Sequence, residues 1–142
     1  MREPKPKPKW TDKKGMFITQ WRRFAKERRD QEWVPLHKLR GYELDWAIPD
    51  LKVAVEIDGG TRGFTQVLKN GTTVFRQTGG HNSGAGYEHD RWRDLSLAAD
   101  GWVTLRLTTQ MLEDAGDPIN AVEKVAQVIS LREESLSVQS DR

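Results

Sequence analysis

Two short β-segments joined by a Pro-Asp turn constrain this chain more than any other stretch. Residues 42–48 (YELDWAI) alternate, Pro49-Asp50 reverses the chain, and residues 52–58 (KVAVEID) follow as a nearly unbroken apolar run. Such a run suits a strand covered on both faces, and the short turn makes the two segments antiparallel neighbours. Asp45 interrupts the first segment, and Glu56 and Asp58 close the second just before Gly59-Gly60. Side chains alternate along a strand, so Glu56 and Asp58 share a face, and the turn can bring Asp45 opposite either of them. Carboxylates on core strands are costly unless something neutralises them. A divalent cation does so, and a hard oxygen site favours Mg²⁺, with Mn²⁺ able to substitute. The structural alternative is that Glu56 and Asp58 simply pair with Arg62 or Arg91.

The flanking segments supply the rest of an α/β fold. Residues 1–14 alternate Lys with Pro and then read KWTDKK, the composition of a flexible basic arm. Phe17, Trp21, Phe24 and Arg28 fall at helical spacing within 15–30 and predict an amphipathic helix with a basic outer face. Residues 33–39 read as a strand that Pro35 confines to an edge. Between Gly60 and Tyr87 the chain is rich in Gly, Thr and Asn, with a hairpin tip at Asn70-Gly71. A helix is expected over 88–100, with Trp92, Leu95, Ala98 and Ala99 on one side and Gly101 as its stop. Residues 102–107 (WVTLRL) read as another buried strand. Asp117-Pro118 starts a last helix, with Ile119, Val122, Val125, Ala126 and Ile129 as its buried stripe. One domain is expected over 15–132, with a mixed sheet flanked by helices and a disordered tail at 133–142. Apart from Trp10, the six Trp are expected in the core.

Composition narrows the functions available. The chain of 142 residues has no Cys, which excludes disulfide frameworks, zinc ribbons and thiol nucleophiles. With only 3 His (His37, His81, His89), a His-rich metal centre is not expected either. No apolar run is long enough for a membrane helix, and the N-terminus lacks a secretory pattern. An intracellular protein with no membrane partner is the expectation. The net charge of +2 conceals an asymmetry: residues 1–40 carry 13 Lys/Arg against 5 Asp/Glu, residues 41–142 carry 10 against 16. A basic front half suits a polyanion such as DNA.

A wider set of short motifs resembles a known family. The runs Glu43-Leu44-Asp45-Trp46-Ala47-Ile48-Pro49 and Ala54-Val55-Glu56-Ile57-Asp58-Gly59-Gly60 are followed by Gly79-Gly80-His81 and by Gly86-Tyr87-Glu88-His89-Asp90. Arg91-Trp92-Arg93-Asp94 with Leu97, and Gly101-Trp102-Val103-Thr104-Leu105-Arg106, complete the series. Over residues 42–112 this order and spacing resembles the PD-(D/E)XK nucleases, in particular the very-short-patch repair endonuclease branch and its small phage and bacterial relatives. The resemblance implies a restriction-endonuclease-like core and metal-dependent hydrolysis of a DNA phosphodiester, in a bacterial or phage-infected host. It makes Asp45 the metal-binding Asp of the first motif, Glu56 the acid of the second, and the Ile57 carbonyl a further ligand. Asp58 stands where most of the superfamily has Lys, which leaves the general base open between His81 and Asp58. A His with an unperturbed pKa of about 6.5 suits that proton transfer. Relatives also carry a Glu on the first helix, and Gln20 and Glu27 lie near that place.

The resulting expectation is an Mg²⁺-dependent endonuclease acting on branched or distorted duplex, such as a Holliday junction, as a homodimer. Asp45, Glu56 and Asp58 would hold the metal, and His81 would assist the attacking water. Lys9, Trp10, Lys13, Lys14, Arg22, Arg23, Arg62, Arg91 and Arg93 would meet DNA, with Asp90 as a supporting group. The glycine-rich stretch 79–86 would be an active-site loop. Two alternatives stand beside this: a mismatch or site-specific nicking enzyme, and a nuclease-like fold that binds DNA without cutting it.

Overall fold

A computed structural model describes residues 12–58, 63–77 and 84–140, with the side chains of 14–58, 67–74 and 88–139. Its framework is a four-stranded mixed sheet in the order β1-β2-β3-β6. The strands are β1 (Val34–Leu39), β2 (Tyr42–Ile48), β3 (Val53–Asp58) and β6 (Val103–Thr108). The first three run antiparallel to one another, and β3 and β6 run parallel. A separate hairpin, β4 (Gly63–Val67) and β5 (Thr73–Gln77), turns through Asn70-Gly71 as its sequence predicts. The helices are α1 (Asp12–Phe24), α2 (Gly84–Ala99), the short α3 (Thr109–Leu112) and α4 (Pro118–Ser140). No helix among the described residues is long and apolar enough to cross a membrane.

Local chemistry accounts for the turns. Leu39 pairs with Tyr42 across a two-residue loop, and Arg40 and Gly41 take φ of 52° and 81°. That is the positive-φ pair a hairpin loop needs to match the twist of its strands. Pro35 lies on β1, the edge strand, where its missing N–H costs no ladder bond. Pro49–Leu51 forms a single 3-10 turn between β2 and β3, closed by Lys52 with φ 54°. Gly101 ends α2 at φ 86°, where its N–H donates to the Ala98 carbonyl and that of Trp102 to Leu97.

The sheet is covered on both faces. Trp46, Ile48, Val53, Val55, Ile57 and Leu107 form one face, packed against Phe17 and Trp21 of α1 and Val122, Val125 and Ile129 of α4. Trp33 crosses the rings of Phe17 and Trp21 at nearly right angles, 5.0 and 5.3 Å away. The opposite face is smaller: Ala47 and Ala54 meet Leu97 of α2 and Trp102.

Five expectations are corrected. The first helix begins at Asp12 rather than 15 and ends at Phe24, with Lys26–Arg28 continuing as a 3-10 turn. Helix α4 runs on to Ser140, so no disordered tail begins at 133; Glu133 is tied to Arg28 at 2.9 Å. Ile119 is exposed, and Ala121 joins the stripe instead. Trp92 and Leu95 are 65% and 60% exposed, so α2 turns its apolar stripe outward. The cause is the sheet face it covers, which carries charged residues where an apolar stripe would need apolar partners. Residues 84–86 of the expected glycine loop belong to the first turn of α2, and 79–83 lie outside the described residues.

Candidate active site

The site forms where β2 and β3 separate. Their pairing covers Ile48↔Val53, Ala47↔Ala54 and Trp46↔Val55. Beyond that point β2 continues against β1 and β3 against β6, out to Asp58↔Thr108. Asp45 and Glu56 are the first residues past the fork. Asp45 Oδ2 accepts the Ile57 N–H at 2.8 Å, so the side chain serves a main-chain donor at the opening fork. In an extended strand a residue's N–H and C=O face the same neighbour, which directs the Ile57 carbonyl into the fork too.

The acid pair is buried and in direct contact. Asp45 and Glu56 are each 5% exposed, and their carboxyl groups share a hydrogen bond. Burial, together with the Asp45 charge and that hydrogen bond, pushes the Glu56 carboxyl up to about 8; Arg93 and Arg106 act in the opposite direction. At neutral pH Glu56 is therefore mainly protonated and donates to Asp45. Its Oε1 is buried without a hydrogen-bond partner. Lys14, at the start of α1, places its ammonium 2.7 Å from Asp45 Oδ1.

Helix α2 supplies the facing charges. Asp90, Arg93, Asp94 and Leu97 follow the three-and-four spacing of one helical face and look inward. Asp90 Oδ1 lies 3.7 Å from Arg93 Nη2. Arg93 Nε and Nη2 are buried with no hydrogen-bond acceptor, beside Glu56. Arg106, the β6 partner of Glu56, donates to both oxygens of Asp94, at 2.6 and 3.3 Å, and sits 3.6 Å from Asp58. Burial opposes the Arg106 charge, but Asp94, Asp58 and Glu56 outweigh it and hold the guanidinium above its ordinary pKa. Replacing Arg106 with Met would leave Asp94 and Asp58 facing each other without that cation. A loss of about 2 kcal/mol is expected, read as a lower urea midpoint with unchanged slope.

The sequence-predicted residues divide clearly. Asp45, Glu56 and the Ile57 main chain come together, with Arg93 and Asp90 behind them. Asp58 is drawn to Arg106, and among the described residues no three His, Asp or Glu side chains converge to hold a metal ion. Gln20 is buried and donates to the Leu112 carbonyl at 2.7 Å, which ties α1 to α3. Glu27 is exposed on the 3-10 turn after α1. Arg22 and Arg23 are exposed at the end of α1, Arg23 lying over the Phe24 ring and 3.8 Å from Asp114. Arg91 is 54% exposed and 3.6 Å from Asp94. His81, Arg62, Lys9 and Trp10 fall outside the described residues, as does the side chain of Lys13. His37 stacks on Trp102 and His89 meets the Tyr42 ring edge-on, so neither joins the acid pair. An acid partner for the strand residue Arg106 is readable from the sequence, but its identity as Asp94 on α2 is not; the spacing of Asp90, Arg93, Asp94 and Leu97 was the available signal.

A divalent cation fits the donor set. Glu56 Oε1 is an orphaned buried oxygen, Asp45 lies beside Glu56, and the Ile57 carbonyl lies on the side of β3 where the Ile57 N–H meets Asp45. Mg²⁺ commonly takes one or two protein carboxylates and completes its shell with water and substrate phosphate oxygens.

Fold and site together define an α/β protein with a buried acid pair at a fork in a helix-flanked mixed sheet. Comparison of the chain with family models, curated proteins and solved structures finds no match in any of the three.

Proposed function

We propose that this chain is a divalent-metal-dependent DNA endonuclease of the PD-(D/E)XK kind, selective for branched duplex. The observation that carries the reading is the contact of Asp45 with Glu56 at the strand fork, with one buried oxygen left unpartnered. Asp45, Glu56 and the Ile57 carbonyl hold the ion. The chemistry a bound Mg²⁺ supplies there is Lewis acidity toward the scissile phosphate and the attacking water. Arg93, whose Nε and Nη2 lack acceptors, offers a planar pair of donors to a phosphate and stabilises the charge that builds on it. Arg106 fixes Asp58 and Asp94 and so keeps that side of the site electrically balanced. His81 is assigned the proton from the attacking water. Exposed Arg22 and Arg23, with the excess of Lys and Arg before residue 41, track the DNA backbone.

A second reading has its own support. Lys14 already neutralises Asp45, and Asp58 stands where a catalytic Lys is usual, which favours a DNA-binding protein that does not cut. Incubation of labelled four-way junction, mismatched duplex and plain duplex with Mg²⁺ separates the readings. Cleavage of the junction in preference to both linear substrates is expected. Nicking of the mismatch alone would indicate a repair-type enzyme, and tight binding with no product in Mg²⁺ or Mn²⁺ would establish the second reading.

A further inference from the structure

Lys14 is held by two consecutive residues of β2. Its main-chain carbonyl accepts the Trp46 indole N–H at 2.7 Å, and its ammonium meets Asp45 Oδ1 at 2.7 Å. One residue of α1 is thereby anchored twice on β2, by its main chain through Trp46 and by its side chain through Asp45. Of the two oxygens of Asp45, Oδ2 serves the Ile57 N–H and Oδ1 serves Lys14, and the Glu56 carboxyl shares a hydrogen bond with the same group. The oxygen that would turn to an incoming cation is the one the ammonium occupies.

We propose that Lys14 is a positioning residue acting as an internal cation, one that orders Asp45 until a divalent ion displaces it, and that it thereby sets the ion concentration at which the site loads. This rests on the reading of Asp45 and Glu56 as an ion-binding pair. Three features make the exchange feasible. The Lys14 side chain is 27% exposed while that of Asp45 is 7% exposed, so the ammonium has an outlet to water that the carboxylate lacks. Its long, flexible stem lets the charge swing away without moving the backbone. The backbone itself is secured by Trp46, so α1 stays docked when the ammonium leaves. Once released, the ammonium remains beside the site, where a DNA phosphate replaces the carboxylate as its partner. Metal loading and DNA binding then favour each other through one side chain.

Calorimetric titration of the full chain with Mn²⁺, without DNA, tests this on wild type, Lys14→Gln, Lys14→Arg and Asp45→Asn. Lys14→Gln keeps a hydrogen-bond donor for Asp45 but removes the competing charge, and is expected to bind Mn²⁺ about tenfold more tightly than wild type. Lys14→Arg is expected to restore the weaker wild-type affinity, and Asp45→Asn to abolish uptake. In parallel, the Lys14 ammonium ¹⁵N resonance of the wild type is expected to shift in step with Ca²⁺ uptake, a readout that does not depend on any variant folding. Equal Mn²⁺ affinity of folded Lys14→Gln and wild type, or a Lys14 resonance that stays put while Ca²⁺ binds, would overturn the role of Lys14 and leave the nuclease reading standing. Absence of ion uptake by wild type and Lys14→Gln alike would overturn both.

Discussion

Asp45→Asn is expected to reduce Mg²⁺-dependent cleavage of a branched substrate on the order of 10³-fold, the loss of several kcal/mol of charge stabilisation. The substitution keeps an oxygen that can accept the Ile57 N–H, so the fork survives and the loss falls on chemistry. Asp45→Ala removes that acceptor as well, while both variants leave the Lys14 ammonium without its carboxylate. Relative to Asp45→Asn, a further destabilisation of about 2 kcal/mol is expected from the unpaired donor. Single-turnover cleavage alongside urea denaturation separates the two effects. If Asp45→Asn cuts as fast as wild type, the acid pair does not hold the catalytic ion.

Glu56→Gln is expected to make the ion-free protein more stable at high pH. The folded chain keeps a proton on Glu56 up to about pH 8, whereas the unfolded chain releases it near the ordinary value of 4.5. The folded state therefore binds more protons across that interval, and stability falls as pH rises through it. The slope is at most about 1.4 kcal/mol for each pH unit, so the accumulated loss by pH 9 is a few kcal/mol. Gln cannot ionise, and its amide can donate to Asp45 as the protonated acid does. In EDTA, urea midpoints of wild type and Glu56→Gln should be close at pH 4.5 and diverge steadily toward pH 9, with the variant higher. Parallel curves across that range would show that Glu56 is not held protonated by its surroundings. Adding Mg²⁺ at pH 9 should recover the wild-type midpoint and leave Glu56→Gln largely unmoved, since only the wild type then carries two ionised carboxylates for the ion to match.

Much of the framework was legible because it is written in local chemistry. The alternation of 42–48, the apolar run before Glu56, the Asn70-Gly71 tip and the Asp117-Pro118 helix start each specify an element from a few adjacent residues. The edge position of β1 followed from Pro35 alone. The side of α2 that faces inward was not legible, because its hydrophobic stripe points the wrong way. Trp92 and Leu95 form the apolar face, yet the sheet beneath presents Asp45, Glu56, Asp58 and Arg106. Asp90, Arg93 and Asp94 meet those charges, and electrostatic matching overrides the apolar pattern. The fate of Asp58 was hidden for a related reason. Its position on the face of Glu56 was correct, but Arg106 on the neighbouring parallel strand takes it.

The sequence by itself determined that two acid-bearing strands lie side by side and that Asp45 and Glu56 come together, since strand alternation and turn length are properties of neighbouring residues. Only the tertiary structure decided which cation reaches which acid: Lys14 to Asp45, Arg106 to Asp94 and Asp58, and Arg93 beside Glu56. Those pairings join residues on different elements, and they depend on where β2 parts from β3 and how α2 rolls against the sheet, quantities that no single stretch of chain encodes.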